Sequence, residues 1–253
     1  MGRTCARTES MVSAVDGERN SMTSFVSFDV DGQEDMLANI EAHGRNTSRL
    51  FKSIVSDKAG FRVNGKVGEV SLWFSPKTVG ALPLISLGET ELNGSIALDS
   101  IIDRVMDLSR KSEWDPELLT AKEISLRQVD DDCRIRTCWS ACKSKPGIAG
   151  RDFVYHAFSC RGAEEWLVAS WSADIDEVPP EYAPKEPSAV HVRAKLVLGG
   201  FYVRRCVSGQ WLVSYINQVE LGLSSWLTDP VLKKNPAVLL NNLKSVLERD
   251  CKV

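Results

Sequence analysis

No stretch of this sequence approaches the ~20 consecutive apolar residues that a membrane-spanning helix needs, and no apolar segment follows the N-terminus as in a secretory signal. Histidine is scarce. His43, His156 and His191 are the only three, and their positions have no metal-ligand spacing. The GxSxG and HExxH patterns of hydrolases are absent. Gly60-x-x-x-x-Gly65-Lys66 has the outline of a phosphate loop. Val67, however, stands where Ser or Thr would hold magnesium, and a strand-like run follows where a helix should open. Asp174-x-Asp176-Glu177 lacks the Gly and the distal Glu of a calcium loop. No catalytic residues, metal or cofactor are therefore expected.

Charge of either sign is not in excess. The net charge is -3, which gives no global drive toward nucleic acid, so no nucleic-acid partner is expected. The seven cysteines are odd in number and form no CxxC, which predicts reduced thiols in an intracellular, cytoplasmic protein. No internal repeat, low-complexity block or linker divides the chain. Residues 1–24 are rich in Ser, Thr, Arg and Gly without apolar periodicity and read as a disordered tail. Residues 25–253 read as a single domain, expected to be a monomer.

What the chain does have is 43% apolar and 26% charged residues, the balance of an ordinary globular protein, in alternating helix and strand patterns. Asp31 to Asp57 and Leu98 to Leu108 carry helical periodicity. Strand-like runs are Val67 to Phe74, Leu84 to Leu92, Ile124 to Val129, Cys133 to Cys142 and Arg151 to Cys160. They continue with Glu165 to Ala173, Ala189 to Val207 (with a bend at Gly199-Gly200) and Gln210 to Glu220. Asp130-Asp131-Asp132, Arg161-Gly162 and Ser208-Gly209 punctuate them as hairpin turns. The chain closes on an amphipathic helix with apolar residues at 232, 236, 239, 240, 243, 246 and 247. Its start is open between Ser224 or Ser225 and Asp229-Pro230, and Pro236 should bend or divide it.

The order of elements gives an α+β single domain with an antiparallel sheet. Two strands have inward faces of mixed character. Phe153, Tyr155, Ala157 and Ser159 alternate with Asp152, Val154, His156 and Phe158; Cys138, Ser140 and Cys142 alternate with Ile135, Thr137 and Trp139. Such faces suit a curved sheet around a cavity, or an imperfect core.

Several short segments, in order, resemble the START family of steroidogenic-acute-regulatory-protein-related lipid-transfer domains. They are Trp114-Asp115-Pro116, Arg151-Asp152-Phe153-Val154-Tyr155, Val192-Arg193-Ala194, and Tyr215 to Gly222 leading into Ser225-Trp226-Leu227. The resemblance implies the helix-grip fold, a curved antiparallel sheet wrapped around a long C-terminal helix and enclosing a hydrophobic cavity. It also implies non-enzymatic lipid binding and intermembrane transfer, with transient contact to a membrane surface.

Sterol-binding members carry a buried acid-base pair. Its basic partner would fall at Ala157 and its acid near Cys138, and both are absent. The positions resemble phosphatidylcholine-binding members better, with ceramide and sterol as the alternative ligands. Lys111 and Asp115 stand at the phosphate-holding pair, while Trp139, Phe153 and Val197 stand at the aromatic positions around a quaternary ammonium. Taken as residues alone, Lys111 and Asp115 are equally a surface pair at i and i+4. In the final segment, Leu232, Leu239, Leu243 and Val246 become candidate cavity wall, and Trp226, Leu239 and Leu243 candidate ligand contacts. The competing readings are an enzyme, cyclase or hydrolase, on the same fold, or a lipid-sensing adaptor docking through Lys143/Lys145 or the acidic 174–177 turn.

Overall fold

The computed structural model describes residues 30–75, 83–182 and 191–251. The expected tail at 1–24 lies outside them. Among the described residues the α-helices are α1 (Val30–Ser56), α2 (Leu98–Met106) and α3 (Ser225–Asp250). The strands are β1 (Arg62–Val67), β2 (Val70–Phe74), β3 (Ser86–Leu92), β4 (Leu118–Gln128) and β5 (Cys133–Cys142). They continue as β6 (Gly150–Arg161), β7 (Glu165–Ser172), β8 (His191–Arg193), β9 (Lys195–Arg205) and β10 (Trp211–Glu220).

All ten join one sheet in the order β1-β2-β3-β10-β9-β7-β6-β5-β4, with β8 pairing parallel to β6. After β3 the chain leaves by way of α2 and enters the far edge as β4. It then returns strand by strand until β10 lies beside β3. Every consecutive pair along this path is antiparallel, as hairpin turns between adjacent strands require.

The sheet separates two apolar layers. On its outer face α1 sets Phe51 and Val55 against Leu87, Leu167, Ala169 and Ile216, and Ile40 against Ile135, Phe158 and Trp171. On its inner face α2 and α3 bury Ile101, Val105, Leu240, Leu243 and Leu247 together with Trp114, Phe201 and Val213. Complete burial of one such leucine is worth about 1.5–3 kcal/mol. This is the helix-grip arrangement: an open antiparallel sheet holding its C-terminal helix.

The helix is longer and more continuous than its two prolines suggest. It begins after Ser224, runs through Pro230 and Pro236, and ends at Asp250. Pro236 does not divide it, because the residue is buried and its ring is received by β3. A Cβ added at Gly88 would lie 2.6 Å from Pro236 Cβ, so only glycine lets the strand come this close. The packing gained offsets the backbone hydrogen bond that proline removes.

Three strand boundaries also differ. The run expected from Val67 is the second half of a hairpin, β1–β2, turning at Gly68-Glu69. β4 begins at Leu118 rather than Ile124, and the expected strand Ala189 to Val207 is two, β8 and β9. The expectation of reduced thiols fails for one pair of cysteines, while Cys138, Cys142, Cys206 and Cys251 are free. Cys133 and Cys160 occupy directly opposed positions of β5 and β6, with Cα atoms 4.2 Å apart, and form a disulfide. Count and spacing in the sequence carry no register, so this pairing was hidden. Among the described residues no helix is long and apolar enough to cross a membrane.

Candidate functional site

Between the N-terminal half of α3 and the inner face of the sheet lies a cavity of about 330 Å³. Helix α3 contributes Leu227, Val231, Leu232 and Leu239 to it. These residues follow the three-and-four spacing that turns one helical stripe toward the sheet. The sheet contributes alternate residues: Arg136, Cys138, Ser140 and Cys142 from β5, Phe153, Tyr155 and Ala157 from β6, and Tyr215, Asn217 and Val219 from β10. The period of two in a strand puts these, and not their neighbours, on the cavity side.

The turn after α2 supplies the polar end. Lys111–Glu113 forms a 3-10 turn closed by the backbone N–H groups of Trp114 and Asp115, which both donate to the Lys111 carbonyl. Trp114 is buried, donates from Nε1 to the Arg104 carbonyl at 3.3 Å and meets Phe201 edge-on at 5.8 Å. That anchorage directs Lys111 and Asp115 into the cavity, where they are 22% and 15% exposed. Their charged atoms stand 3.9 Å apart, at the edge of ion-pair distance. Lys111 Nζ also lies 5.7 Å from the Trp114 ring centre.

Burial governs the neighbouring titratable groups. It pushes the thiols of Cys138 and Cys142 up to about 11, so both are protonated at neutral pH and are poor nucleophiles. Burial also raises the phenols of Tyr155 and Tyr215, the latter with help from Asp115 and Cys142. The thiols and phenols of this wall are therefore neutral hydrogen-bonding groups, set among charged residues that include Lys111, Asp115, Arg136 and Arg151.

The eight candidate ligand contacts divide evenly, and of the two further wall candidates Leu232 lines the cavity and Val246 does not. Lys111, Asp115, Phe153 and Leu239 line the cavity. Trp139, Val197, Trp226 and Leu243 do not. Trp139 is on the opposite face of β5 from Cys138 and Ser140, where its indole donates to Asp152 Oδ2 at 3.1 Å. Asp152 is in turn held by Arg193 through bonds of 3.1 and 2.9 Å. Desolvation pushes this carboxyl up, but the bonds from Arg193 and Trp139 outweigh it and hold Asp152 below its ordinary value.

Val197 is half-buried away from the cavity lining. Trp226, at the first turn of α3, is 74% exposed. Leu243 is packed in the core with Leu240 and Leu247, one turn beyond Leu239. The sequence reading passed over Arg136, Tyr155, Tyr215 and Asn217 as site residues. Arg136 had a usable signal: it is two residues before Cys138 and must share its face.

A domain-family model matches residues 97–253, described as the START domain. Among solved structures, human StAR-related lipid transfer protein 5 is similar with a TM-score of 0.69 and 16% identity, over 85% of this chain and 98% of that one. Human STARD10 gives a TM-score of 0.67 and 14% identity, over 80% and 78%. The lipid transfer and protein localization domain of human StarD13 gives 0.56 and 15%, over 78% and 94%. A search of curated proteins found no match. The structural likenesses establish the shared fold, and the family model covers more than half of the chain. By its fold and by that model, this chain belongs to the START family.

Proposed function

We propose that the chain binds a lipid in the cavity under α3 and carries it between membranes without altering it covalently. The observation that carries this reading is the cavity itself. It is an apolar chamber walled by α3 leucines and sheet aromatics, with a lysine–carboxylate pair at its polar end. A diacyl lipid in water exposes its chains at ~0.8 kcal/mol per CH₂, on the order of 20 kcal/mol in all. A carrier must match the membrane's apolar environment and needs no reactive group.

The ligand class proposed is a glycerophospholipid, with its phosphate against Lys111 and phosphatidylcholine as the first case to test. Phe153, Tyr155, Phe201 and Tyr215 are the aromatic faces available to a headgroup cation, in place of the Trp139 and Val197 expected from the sequence. Residues 25–253 are proposed as the lipid-binding unit, acting as a monomer.

Loading requires contact with a bilayer. Trp226 and Val231, exposed on the first turns of α3 beside the cavity-lining Leu227, form a suitable surface for a transient one. The test is transfer of labelled phosphatidylcholine, ceramide and sterol between donor and acceptor vesicles. Phosphatidylcholine transfer above the spontaneous rate is expected. Failure to move or extract any of the three would remove the proposal.

A further inference from the structure

Helix α3 turns an apolar stripe toward the cavity, and an amide interrupts it. Between Leu232 and Leu239, which both line the cavity, stands Asn235, which lines it as well. Facing it from β10 is Asn217, another cavity residue and only 8% exposed. The two side chains meet: Asn217 Nδ2 donates to Asn235 Oδ1 at 3.3 Å. Amides set in an apolar wall give up their hydration and need hydrogen-bond partners in return.

That one bond leaves the pair half satisfied. It engages the amino group of Asn217 and the carbonyl of Asn235. The Asn217 side-chain carbonyl and the Asn235 amino group meet no partner among the described residues. Turning both amides over exchanges their roles and leaves the same remainder, one acceptor and one donor. The strand neighbours of Asn217 do not complete it. Gly199 on β9 has no side chain, and Ser86 on β3 gives its hydroxyl to the Asn217 backbone carbonyl at 3.1 Å. What completes the pair is a group that donates and accepts at one atom. A hydroxyl does both, whereas an ester or ether oxygen only accepts and leaves the amide carbonyl unpaired.

Position links this pair to the polar end of the cavity. Tyr215 is two residues back on the same face of β10, about 7 Å along the strand, and its phenol feels the Asp115 charge. In a phospholipid the phosphate and a backbone hydroxyl are likewise only a few bonds apart. We infer that Asn217 and Asn235 form a neutral subsite for the free backbone hydroxyl of a phospholipid, favouring lipids that keep this hydroxyl over those in which it is blocked. The hydroxyl has two sources, a glycerophospholipid with a single acyl chain or a sphingoid phospholipid. This rests on the lipid-binding reading above and specifies its ligand.

The test presents each hydroxyl lipid in phosphatidylcholine vesicles beside an equal amount of the same lipid methylated at that hydroxyl. One pair is built on monoacyl phosphatidylcholine and the other on sphingomyelin, so chains and headgroup are common within a pair. The recovered protein is weighed intact by native mass spectrometry, where the added methyl group tells the bound lipids apart. The wild-type chain is expected to hold the hydroxyl lipid over its ether by about tenfold, the effect of leaving a buried carbonyl unpaired. The pair that shows the preference identifies the source. Asn217→Leu combined with Asn235→Leu replaces both amides by apolar groups of similar shape, a change that folding tolerates. The double variant should bring the ratio to about one while total lipid capture holds.

Equal capture of hydroxyl lipid and ether by the wild type in both pairs, or capture of the host phosphatidylcholine alone, would overturn the subsite. So would a preference that survives in the double variant, since that is the mark of a purely steric choice against the methyl group. An equal loss of both lipids in a double variant that stays folded would overturn it as well, as the result of a merely structural contact between α3 and β10. Absence of any bound lipid in the wild type would remove the lipid-carrier reading itself, a result distinct from all of these.

Discussion

The two faces of the β5–β6 pair are built from the same strands and much the same residue types, but they treat polar groups differently. On the outer face each polar side chain named here meets a protein partner. Thr137 Oγ1 and His156 Nδ1 are 3.0 Å apart, and His156 Nε2 and Glu177 Oε2 are also 3.0 Å apart. Trp139, Asp152 and Arg193 form a closed chain of hydrogen bonds. Cys133 and Cys160 are joined, and α1 covers Phe158. On the inner face the Lys111–Asp115 pair is stretched to 3.9 Å. Small residues such as Ala157 and Ser140 leave space rather than fill it. A face whose polar groups are satisfied from within the chain is built for stability. A face that keeps its space unfilled and its ion pair loose around a cavity is suited to a ligand.

The sharpest way to break this contrast is to truncate the outer face. Phe158→Ala should cost about 3–5 kcal/mol of folding stability in denaturant titration, as for other fully buried aromatics. The protein that remains folded should keep the wild-type lipid preference; loss of preference at full stability would erase the distinction. Next in size is Gly44→Ala in α1. Alanine is the better helix former by about 1 kcal/mol, but its Cβ would lie 2.7 Å from the Phe158 ring. The overlap should reverse the sign, giving a net loss of about 1–2 kcal/mol in the same titration. A stabilised variant would show that α1 does not press on the sheet as described.

On the inner side, Leu239→Trp should lower lipid capture at least tenfold, about 1.4 kcal/mol, with a smaller change in thermal midpoint, because the new ring enters the cavity. Leu243→Trp, one turn along, should behave in the opposite way. It overpacks a filled core and costs about 1–3 kcal/mol of stability. Identical outcomes for the two variants would mean that α3 has no division between wall and core.

The smallest effect concerns pH. Burial holds the His156 pKa below its ordinary value; the Glu177 hydrogen bond opposes the shift and His43 adds to it. The folded chain thus keeps this imidazole neutral where the unfolded chain protonates it, near pH ~6.5. Its contribution to stability is complete above that pH and is lost as pH falls from there through the folded value. The thermal midpoint should decline from pH 7 to 5, and His156→Gln should flatten the decline. Asp152, whose pKa is also depressed, acts in a lower window.

Much of this was legible in the residues. The alternation of Phe153, Tyr155 and Ala157 with Asp152, Val154 and His156 separated the two faces of β6 without saying which one looks to the cavity, and the spacing of α3 placed Leu239 toward the sheet. What was not legible depended on register and neighbours. Trp139 was assigned to the cavity by its resemblance to an aromatic position, although its own parity opposes Cys138 and Ser140 and sends it outward. Leu239 and Leu243 are indistinguishable by spacing, because the sheet fills the space against one and not the other. The Cys133–Cys160 bridge requires knowing which residue of β6 faces which of β5. Arg136 was overlooked because a single arginine in a strand is usually read as solvated, and only the assembled sheet shows that its Nε is buried beside Glu123.

The central claim is that the inner face is left open for a lipid, and one measurement addresses it directly. The purified chain is mixed with phospholipid vesicles, separated from them, and weighed intact by native mass spectrometry, beside Leu239→Trp treated in the same way. The account predicts one lipid per chain for the wild type and little or none for the variant, both proteins remaining folded. A wild-type chain that emerges without lipid, or a variant that carries as much as the wild type, would contradict it.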